Sequence, residues 1–329
     1  MLTLPHFGLV RARALPEAID ALSDGRALPI AGGTDVVPNM KRGLLEPARL
    51  VSVRRIPELT GVRVEEDGSL VLGAATTLAE IAGDARVART WPAVAQAVHS
   101  VASPQIRNAG TLGGNVCLDT RCAYYDQSKF WRSALGHCLK TCGEVCHVVP
   151  HGHRCVAAFS ADTPPALIAN GARVRLASQA GERTMALSDF YTSDGAHHTV
   201  RRPDEILVDV RIPPPPPRTQ GVYVKVRARA AIDFPILSMA VVLTRDRDET
   251  VQSIAVVVGA LASKPRVVDG LDAIAVGRPL DGRVIEAVAD RTHAVCHPLA
   301  NLDGDAGWRR TVLPVYVRRA LAALAASPT

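Results

Sequence analysis

Six of the chain's seven cysteines lie between Cys117 and Cys155, directly after the run Gln105-Ile-Arg-Asn-Ala-Gly-Thr-Leu-Gly-Gly-Asn115. The polar stretch from Leu118 to Arg154 has no sustained hydrophobic period. It is too long for an ordinary loop in a compact domain, so it needs a functional or metal-based reason to exist. Thiolates grouped in a loop are what an iron–sulfur cluster requires, and a Gly-Gly-Asn turn lets backbone amides reach a phosphate or flavin. Their adjacency points to two redox cofactors held close together.

The 329 residues suffice to bury a sizeable core in two or three domains. Hydrophobic residues at 47% and charged residues at 21% are ordinary for a soluble globular protein. Aromatics at 4% are too few for a base-stacking surface. The formal charge of +6 is spread over distant pairs such as Arg54-Arg55, Arg201-Arg202, Arg309-Arg310 and Arg318-Arg319. Without a dense basic stripe, nucleic acid is not an expected partner. The basic balance suits an acidic partner subunit or small electron carrier.

The longest apolar stretch, Ile254 to Ala262, is far short of a bilayer span. The segment from Met1 to Gly8 has no charged region ahead of an apolar block, so it does not read as a signal peptide. With clustered thiols, this predicts a reducing cytoplasmic setting, no membrane attachment and no disulfide framework.

The spacing predicts a helix over Pro16 to Ser23, then strands at Leu28 to Ile30, Arg49 to Val53 and Leu70 to Ala74. Helical periodicity runs from Thr77 to Val101, with Pro92 opening a second helix after Trp91. Core sequence resumes at Pro164 to Ala169 and in a strand at Ala172 to Leu176. Further strands are expected at Glu205 to Ile212, Tyr223 to Arg229, Ile236 to Thr244 and Ser253 to Val258. The prolines Pro213 to Pro217 form a stiff turn between strands. Helices are expected at Pro265 to Val276, Arg283 to Ala289 and Trp308 to Ala326.

Two glycine turns stand out. In Pro29-Ile-Ala-Gly-Gly-Thr-Asp35, adjacent glycines after a strand can turn consecutive N–H donors toward a diphosphate. Thr34 can add a hydroxyl, and Asp35 can cap the following turn. The turn Thr111-Leu-Gly-Gly-Asn115 repeats the logic about eighty residues on. The Gly-x-Gly-x-x-Gly and Walker patterns are both absent. The pair of turns favours a ligand with a diphosphate and a second polar moiety, which FAD satisfies.

The clustered thiols are Cys117, Cys122, Cys138, Cys142, Cys146 and Cys155, with His137, His147, His151 and His153 among them. A four-iron cluster needs four thiolates in a wrapping loop. Zinc accepts histidine as readily, so ligand chemistry leaves both open. No Cys-x-x-Cys pair supports a finger or ribbon, and Cys296 reads as a small buried hydrophobe. Ser160 and Ser188 lack a nucleophile elbow, no His-Glu-x-x-His occurs, and Lys225 taken alone reads as a solvated charge.

Read together, the Ala31 to Asp35 turn, the Gln105 to Asn115 run, Lys225 to Pro235 and the helix around Trp308-Arg-Arg310 resemble the FAD-binding medium subunits of the xanthine oxidase family. The likeness is collinear over nearly the whole chain. Within that family, an insertion of about forty residues ahead of Ser160-Ala-Asp162 is similar to the β subunit of the 4-hydroxybenzoyl-CoA reductases, which carry an additional [4Fe–4S] cluster. Asp119-Thr-Arg-Cys-Ala-Tyr-Tyr-Asp-Gln-Ser128 and the Trp131-Arg132 pair carry that closer likeness.

The resemblance implies an α+β fold: a two-part FAD-binding domain, 1–60 and 61–177 with the iron–sulfur insertion at 118–158, followed by a C-terminal α+β subdomain over 178–329. It implies cluster ligands Cys122, Cys138, Cys146 and Cys155, leaving Cys117 and Cys142 over. It implies FAD contacts at Pro29, Ile30, Ala31, Gly32, Gly33, Thr34, Asp35, Val101, Thr111, Gly114 and Asn115. Asp162 would meet the ribityl chain or adenosine, and Lys225 would stabilise anionic reduced flavin.

Substrate chemistry would lie on a molybdenum-cofactor large subunit, reached through a small subunit with [2Fe–2S] clusters. Ferredoxin would supply electrons for removal of a phenolic hydroxyl from an aromatic acyl-CoA. Two rival expectations are a molybdenum hydroxylase acting on an aldehyde or N-heterocycle, and a non-catalytic zinc-loop scaffold without flavin.

Overall fold

Three sheets follow one another along the chain. They belong to a computed structural model that describes residues 3–326. Met1 and Leu2, part of the segment considered for export, lie outside the described residues, as do Ser327 to Thr329. No helix among the described residues is long and apolar enough to cross a membrane.

The first sheet is parallel, with β1 (Gly8–Arg11), β2 (Ala27–Ile30) and β3 (Arg49–Ser52) in the order β1-β3-β2. Parallel pairing requires a crossover. Helix Leu15–Leu22, started by Pro16 and held down by buried Ala18 and Leu22, crosses from β1 to β2, and helix Val36–Lys41 lies between β2 and its partner β3.

The second sheet is antiparallel, with β4 (Val62–Val64), β5 (Leu70–Gly73), β6 (Arg173–Ser178), β7 (Gly181–Ala186) and β8 (Ile206–Ile212) in the order β4-β5-β8-β6-β7. The expected boundary after residue 177 therefore falls inside β6. Antiparallel pairing of β6 with both β7 and β8 keeps the chain in this sheet as far as Ile212.

Between β5 and β6 the helical stretch from Thr77 is three helices, not the two expected: Leu78–Gly83, Ala85–Thr90 and Pro92–His99. Thr77 and Glu80 form a reciprocal capping box on the first. Asp84 interrupts the path and caps the second through the Arg86 N–H at 2.8 Å. Short polar side chains that bond the backbone in this way favour caps over helix interiors. The insertion is likewise not wholly irregular. It contains helix Lys129–Leu135, whose start is capped by Ser128 accepting from the Trp131 N–H at 3.2 Å.

The third sheet is antiparallel, with β9 (Thr219–Val226), β10 (Leu237–Arg245), β11 (Val251–Gly259) and β12 (Arg266–Val267) in the order β12-β11-β10-β9. Pro213 to Pro217 carry the chain from β8 to β9, so the stiff segment joins strands of different sheets. The helix expected over Pro265 to Val276 is strand β12 and a single turn, Asp272–Ala275. Pairing of β12 with β11 and a left-handed Gly270, at φ 76°, take residues out of the helical path.

Helices Gly282–Val295 and Ala306–Ala326 cover this sheet with Val284, Val288, Leu313, Val317 and Leu321. Arg309 is fully buried there. Its guanidinium donates to the carbonyls of Ile236 and Ala260, both at 3.4 Å, and of Leu299. A buried cation held by three carbonyls is costly to remove, because its acceptors are then left dry. Arg309→Met should therefore destabilise the chain by about 3 kcal/mol, measured as a lower urea midpoint with an unchanged slope.

Candidate functional site

The two glycine turns meet. Gly32, after β2, lies so close to the start of the second turn that an added Cβ would stand 1.8 Å from the Ala109 carbonyl oxygen. Gly33 follows in the left-handed region at φ 71°. The N–H groups of Gly32, Gly33 and Thr34 find no protein acceptor among the described residues. Successive free donors in such a turn form a nest for an anion.

Beneath the turns lies a cavity of about 330 Å³. Its walls include Pro29, Ala31, Gly32, Gly33, Thr34, Asp35, Val101, Thr111, Gly114, Asn115 and Asp162. Of the flavin contacts expected from sequence, only Ile30 and Lys225 are not in this wall. Ile30 packs behind the turn, near where a side chain on Gly33 would point. Thr111 uses its hydroxyl to cap helix Leu112–Val116 through the Gly114 N–H at 3.2 Å.

The roles of the other polar residues follow from their partners. Asn115 accepts from the Thr163 N–H at 3.0 Å and the Thr163 hydroxyl at 2.7 Å, which fixes the chain beside Asp162. Asp162 accepts from Tyr223 Oη at 2.8 Å and Lys225 Nζ at 2.9 Å. Lys225 is thus a buried ion-pair partner and not the solvated charge that its sequence alone suggests. Burial pushes the Asp162 carboxyl up and the Lys225 ammonium down, each against the pull of the other.

Asp35 sits at the N-cap of helix Val36–Lys41 but makes no side-chain cap. Its carboxylate accepts from Asn39 Nδ2 at 3.0 Å and pairs with the Arg121 guanidinium. That guanidinium also stacks 4.5 Å from the centroid of Phe234. Ile232, Asp233 and Phe234 line the cavity, although Asp233-Phe-Pro235 reads in sequence only as a turn into a strand. Arg201, Cys117 and Leu118 line it too.

Four residues along the chain from Leu118 of this wall, Cys122 joins Cys138, Cys146 and Cys155 in lining one small pocket walled by Tyr124, Tyr125 and Leu139. Cys142 is exposed and does not contribute, and all seven cysteines are free. The turn that carries Cys138 is closed by the Gly143 N–H donating to the Cys138 carbonyl at 3.1 Å. The Ala157 N–H donates to Cys155 Sγ at 3.4 Å. Burial pushes the Cys122 thiol up to about 11. Among the described residues no three His, Cys, Asp or Glu side chains are grouped so as to hold one metal ion. The four thiols share the lining of that one pocket.

Lys140 closes this pocket from inside, with Nζ 2.7 Å from Asp119, 3.0 Å from the Gly195 carbonyl and 4.6 Å from the Tyr125 ring centroid. His198 approaches the same Asp119 at 3.5 Å. Burial holds its imidazole down at about 4.

Residues 5–215 match a family described as the FAD binding domain in molybdopterin dehydrogenase, and residues 222–324 match the CO dehydrogenase flavoprotein C-terminal domain. The chain belongs to the FAD-binding medium subunits of the molybdenum hydroxylases. The carbon monoxide dehydrogenase medium chain of Hydrogenophaga pseudoflava is 28% identical over 321 residues, covering 96% of each chain. The aldehyde oxidoreductase FAD-binding subunit PaoB of Escherichia coli is 31% identical over 280 residues, covering 82% of this chain and 84% of the other. Reconstituted CO dehydrogenase from Oligotropha carboxidovorans superposes with a TM-score of 0.81 at 26% identity, over 99% of this chain and 100% of the other.

The expected fold, a two-part FAD-binding domain followed by a C-terminal α+β unit, is borne out. The expectation of a scaffold without flavin is overturned by the FAD-domain match. The free donors of the first turn fit the diphosphate of FAD, and the largely apolar walls suit its ring systems. Bound FAD can exchange one or two electrons.

Gly32→Ala should force the turns apart and yield chain depleted of flavin, read from the visible absorbance of the purified protein. His198 gives a pH test. Its folded value lies below the ordinary one near 6.5, so the unfolded chain binds the extra proton between the two. Its stabilising share is complete above about pH 6.5 and is lost as the pH falls toward 4, by about 3 kcal/mol. His198→Gln should flatten that part of the stability profile in denaturant titrations at stepped pH.

Proposed function

We propose that this flavoprotein subunit also carries a [4Fe–4S] cluster on Cys122, Cys138, Cys146 and Cys155, and passes electrons between that cluster and FAD inside a larger molybdenum enzyme. The observation that carries the reading is the common pocket of these four thiols beside the flavin cavity. Leu118 lines the cavity and Cys122 the pocket. Four residues of chain reach at most about 14 Å, so connectivity alone keeps the two centres close. A tetrahedral zinc needs its donors about 2 Å from one point, whereas a four-iron cluster holds its thiolates apart. Four thiols lining one pocket match the number of thiolates that a four-iron cluster takes.

The partners would be a molybdenum-cofactor large subunit and a small subunit with [2Fe–2S] clusters, in a reducing cytoplasm that suits free thiols. In this reading reduced ferredoxin feeds the cluster, and electrons leave through FAD toward molybdenum. There the complex removes a phenolic hydroxyl from an aromatic acyl-CoA, as in the 4-hydroxybenzoyl-CoA reductases. The likeness to an aldehyde oxidoreductase subunit favours a second reading, in which an aldehyde or N-heterocycle is oxidised and electrons run outward through FAD. Asp162 and Lys225 would serve either direction, since their ion pair fixes the carboxylate of Asp162 in the flavin wall.

Iron, acid-labile sulfide and zinc measured on anaerobically purified chain test the cluster. About four irons per chain are expected, and Cys122→Ser should abolish them while leaving FAD in place. Zinc with little iron would overturn the cluster and the ferredoxin route, leaving the hydroxylase reading. In the assembled complex, flavin bleached by reduced ferredoxin supports the reductive direction. Flavin bleached only by an aldehyde or N-heterocycle supports the oxidative one.

A further inference from the structure

Three carboxylates line the flavin cavity: Asp35, Asp162 and Asp233. Each has its own cation. Asp162 is paired with Lys225 at 2.9 Å, Asp233 with Arg229 at 3.5 Å, and Asp35 with Arg121. The first two cations come from β9 and the segment after it. The third comes from the cysteine insertion, 86 residues from its partner in sequence.

Arg121 is held firmly. Its backbone exchanges two 2.7 Å hydrogen bonds with Ala158, and its guanidinium lies 3.4 Å from Asp126. Asp126 in turn accepts from the Cys122 N–H at 2.9 Å. The Arg121 side chain is only 11% exposed, and it reaches the cavity through Asp35 and Phe234 without lining the wall itself.

We propose that the cysteine insertion contributes Arg121 as a positioning residue for FAD, neutralising Asp35 so that the first glycine turn can accept a diphosphate. The argument is one of charge. Asp35 directly follows the free N–H donors of Gly32, Gly33 and Thr34 and lines the same cavity, so its negative charge bears on any anionic group that docks there. Like charges in a half-buried site repel strongly, and an unpaired buried carboxylate costs more than one paired and hydrogen-bonded. Arg121 removes that repulsion and, by stacking on Phe234, also holds the segment after β9 against the cavity. The insertion is therefore part of the flavin site as well as a holder of thiols. This inference rests on FAD occupying the cavity and not on which metal the loop takes.

The complete chain, stripped of flavin and titrated with FAD while flavin fluorescence is followed, provides the test. Arg121→Met should weaken FAD binding by about tenfold or more, as loss of one buried charge partner implies. Arg121→Lys should restore most of it. Arg121→Met combined with Asp35→Asn should also recover most of the loss, because the charge left uncompensated is gone. A purely structural role for Arg121 would give no such rescue. Arg121→Gln, which keeps hydrogen-bond donors but not the charge, should weaken binding as Arg121→Met does, which keeps the inference testable if Arg121→Met does not fold. Unchanged binding in Arg121→Met or Arg121→Gln, or a double variant as weak as the single, would each overturn it. Failure of the wild-type chain to bind FAD would instead overturn the occupancy on which it rests.

Discussion

The contact between Gly32 and the Ala109 carbonyl is the constraint on which the rest of the site depends. The first turn follows β2 of the parallel sheet, and the second opens helix Leu112–Val116 beside the antiparallel sheet. Only a residue without Cβ lets the two backbones approach so closely. Once they touch, free N–H donors from one subdomain face a wall built by the other. The cavity is then a consequence of the contact, not a separate feature.

Polar chains extend that contact into the third sheet. Asn115 belongs to the second turn and spends its carbonyl oxygen on Thr163, not on a ligand. This fixes Asp162, which is bound to Tyr223 and Lys225 of β9. Five buried side chains, joined through the peptide bond between Asp162 and Thr163, thus connect the glycine turn to the C-terminal sheet. Buried polar networks of this kind are favourable only when every member is satisfied, so the sheets cannot shift independently without leaving a charge unpaired. Sequence reasoning places Asn115 and Lys225 directly on flavin. The structure gives both a supporting role first.

Most of the fold is legible in the sequence, because β2, β3, β5, β8, β10 and β11 and the long C-terminal helices carry clear apolar periods. The strands that escape sequence reading are β1, β4, β7 and the two-residue β12. They lie at sheet edges with few buried side chains, so their pairing leaves no alternating trace. The flavin turns are legible from adjacent glycines alone. Arg121 and Phe234 are not, because their meaning lies in a contact between segments far apart in the chain. The cluster of thiols is visible in sequence, but which four share a pocket depends on the fold of the insertion.

The place of the insertion in the chain has a mechanical consequence. It begins immediately after a helix whose first turn walls the flavin cavity, and it ends just before Asp162, which walls the same cavity. Both of its ends are therefore anchored at the flavin, and loop closure between nearby ends has a small entropic cost even for a long segment. The loop is pinned further where Arg132 donates to the Gly43 carbonyl at 2.9 Å and Asn301 donates to the Val156 carbonyl at 2.5 Å. Those partners belong to the first subdomain and to the segment ahead of the last helix, so the thiol pocket is fastened to both sides of the flavin-binding body. A second centre built elsewhere on the surface would need its own core to hold a fixed distance from the flavin. Placed here, a second centre would take that distance from chain connectivity and from a scaffold already made rigid by the meeting of two glycine turns.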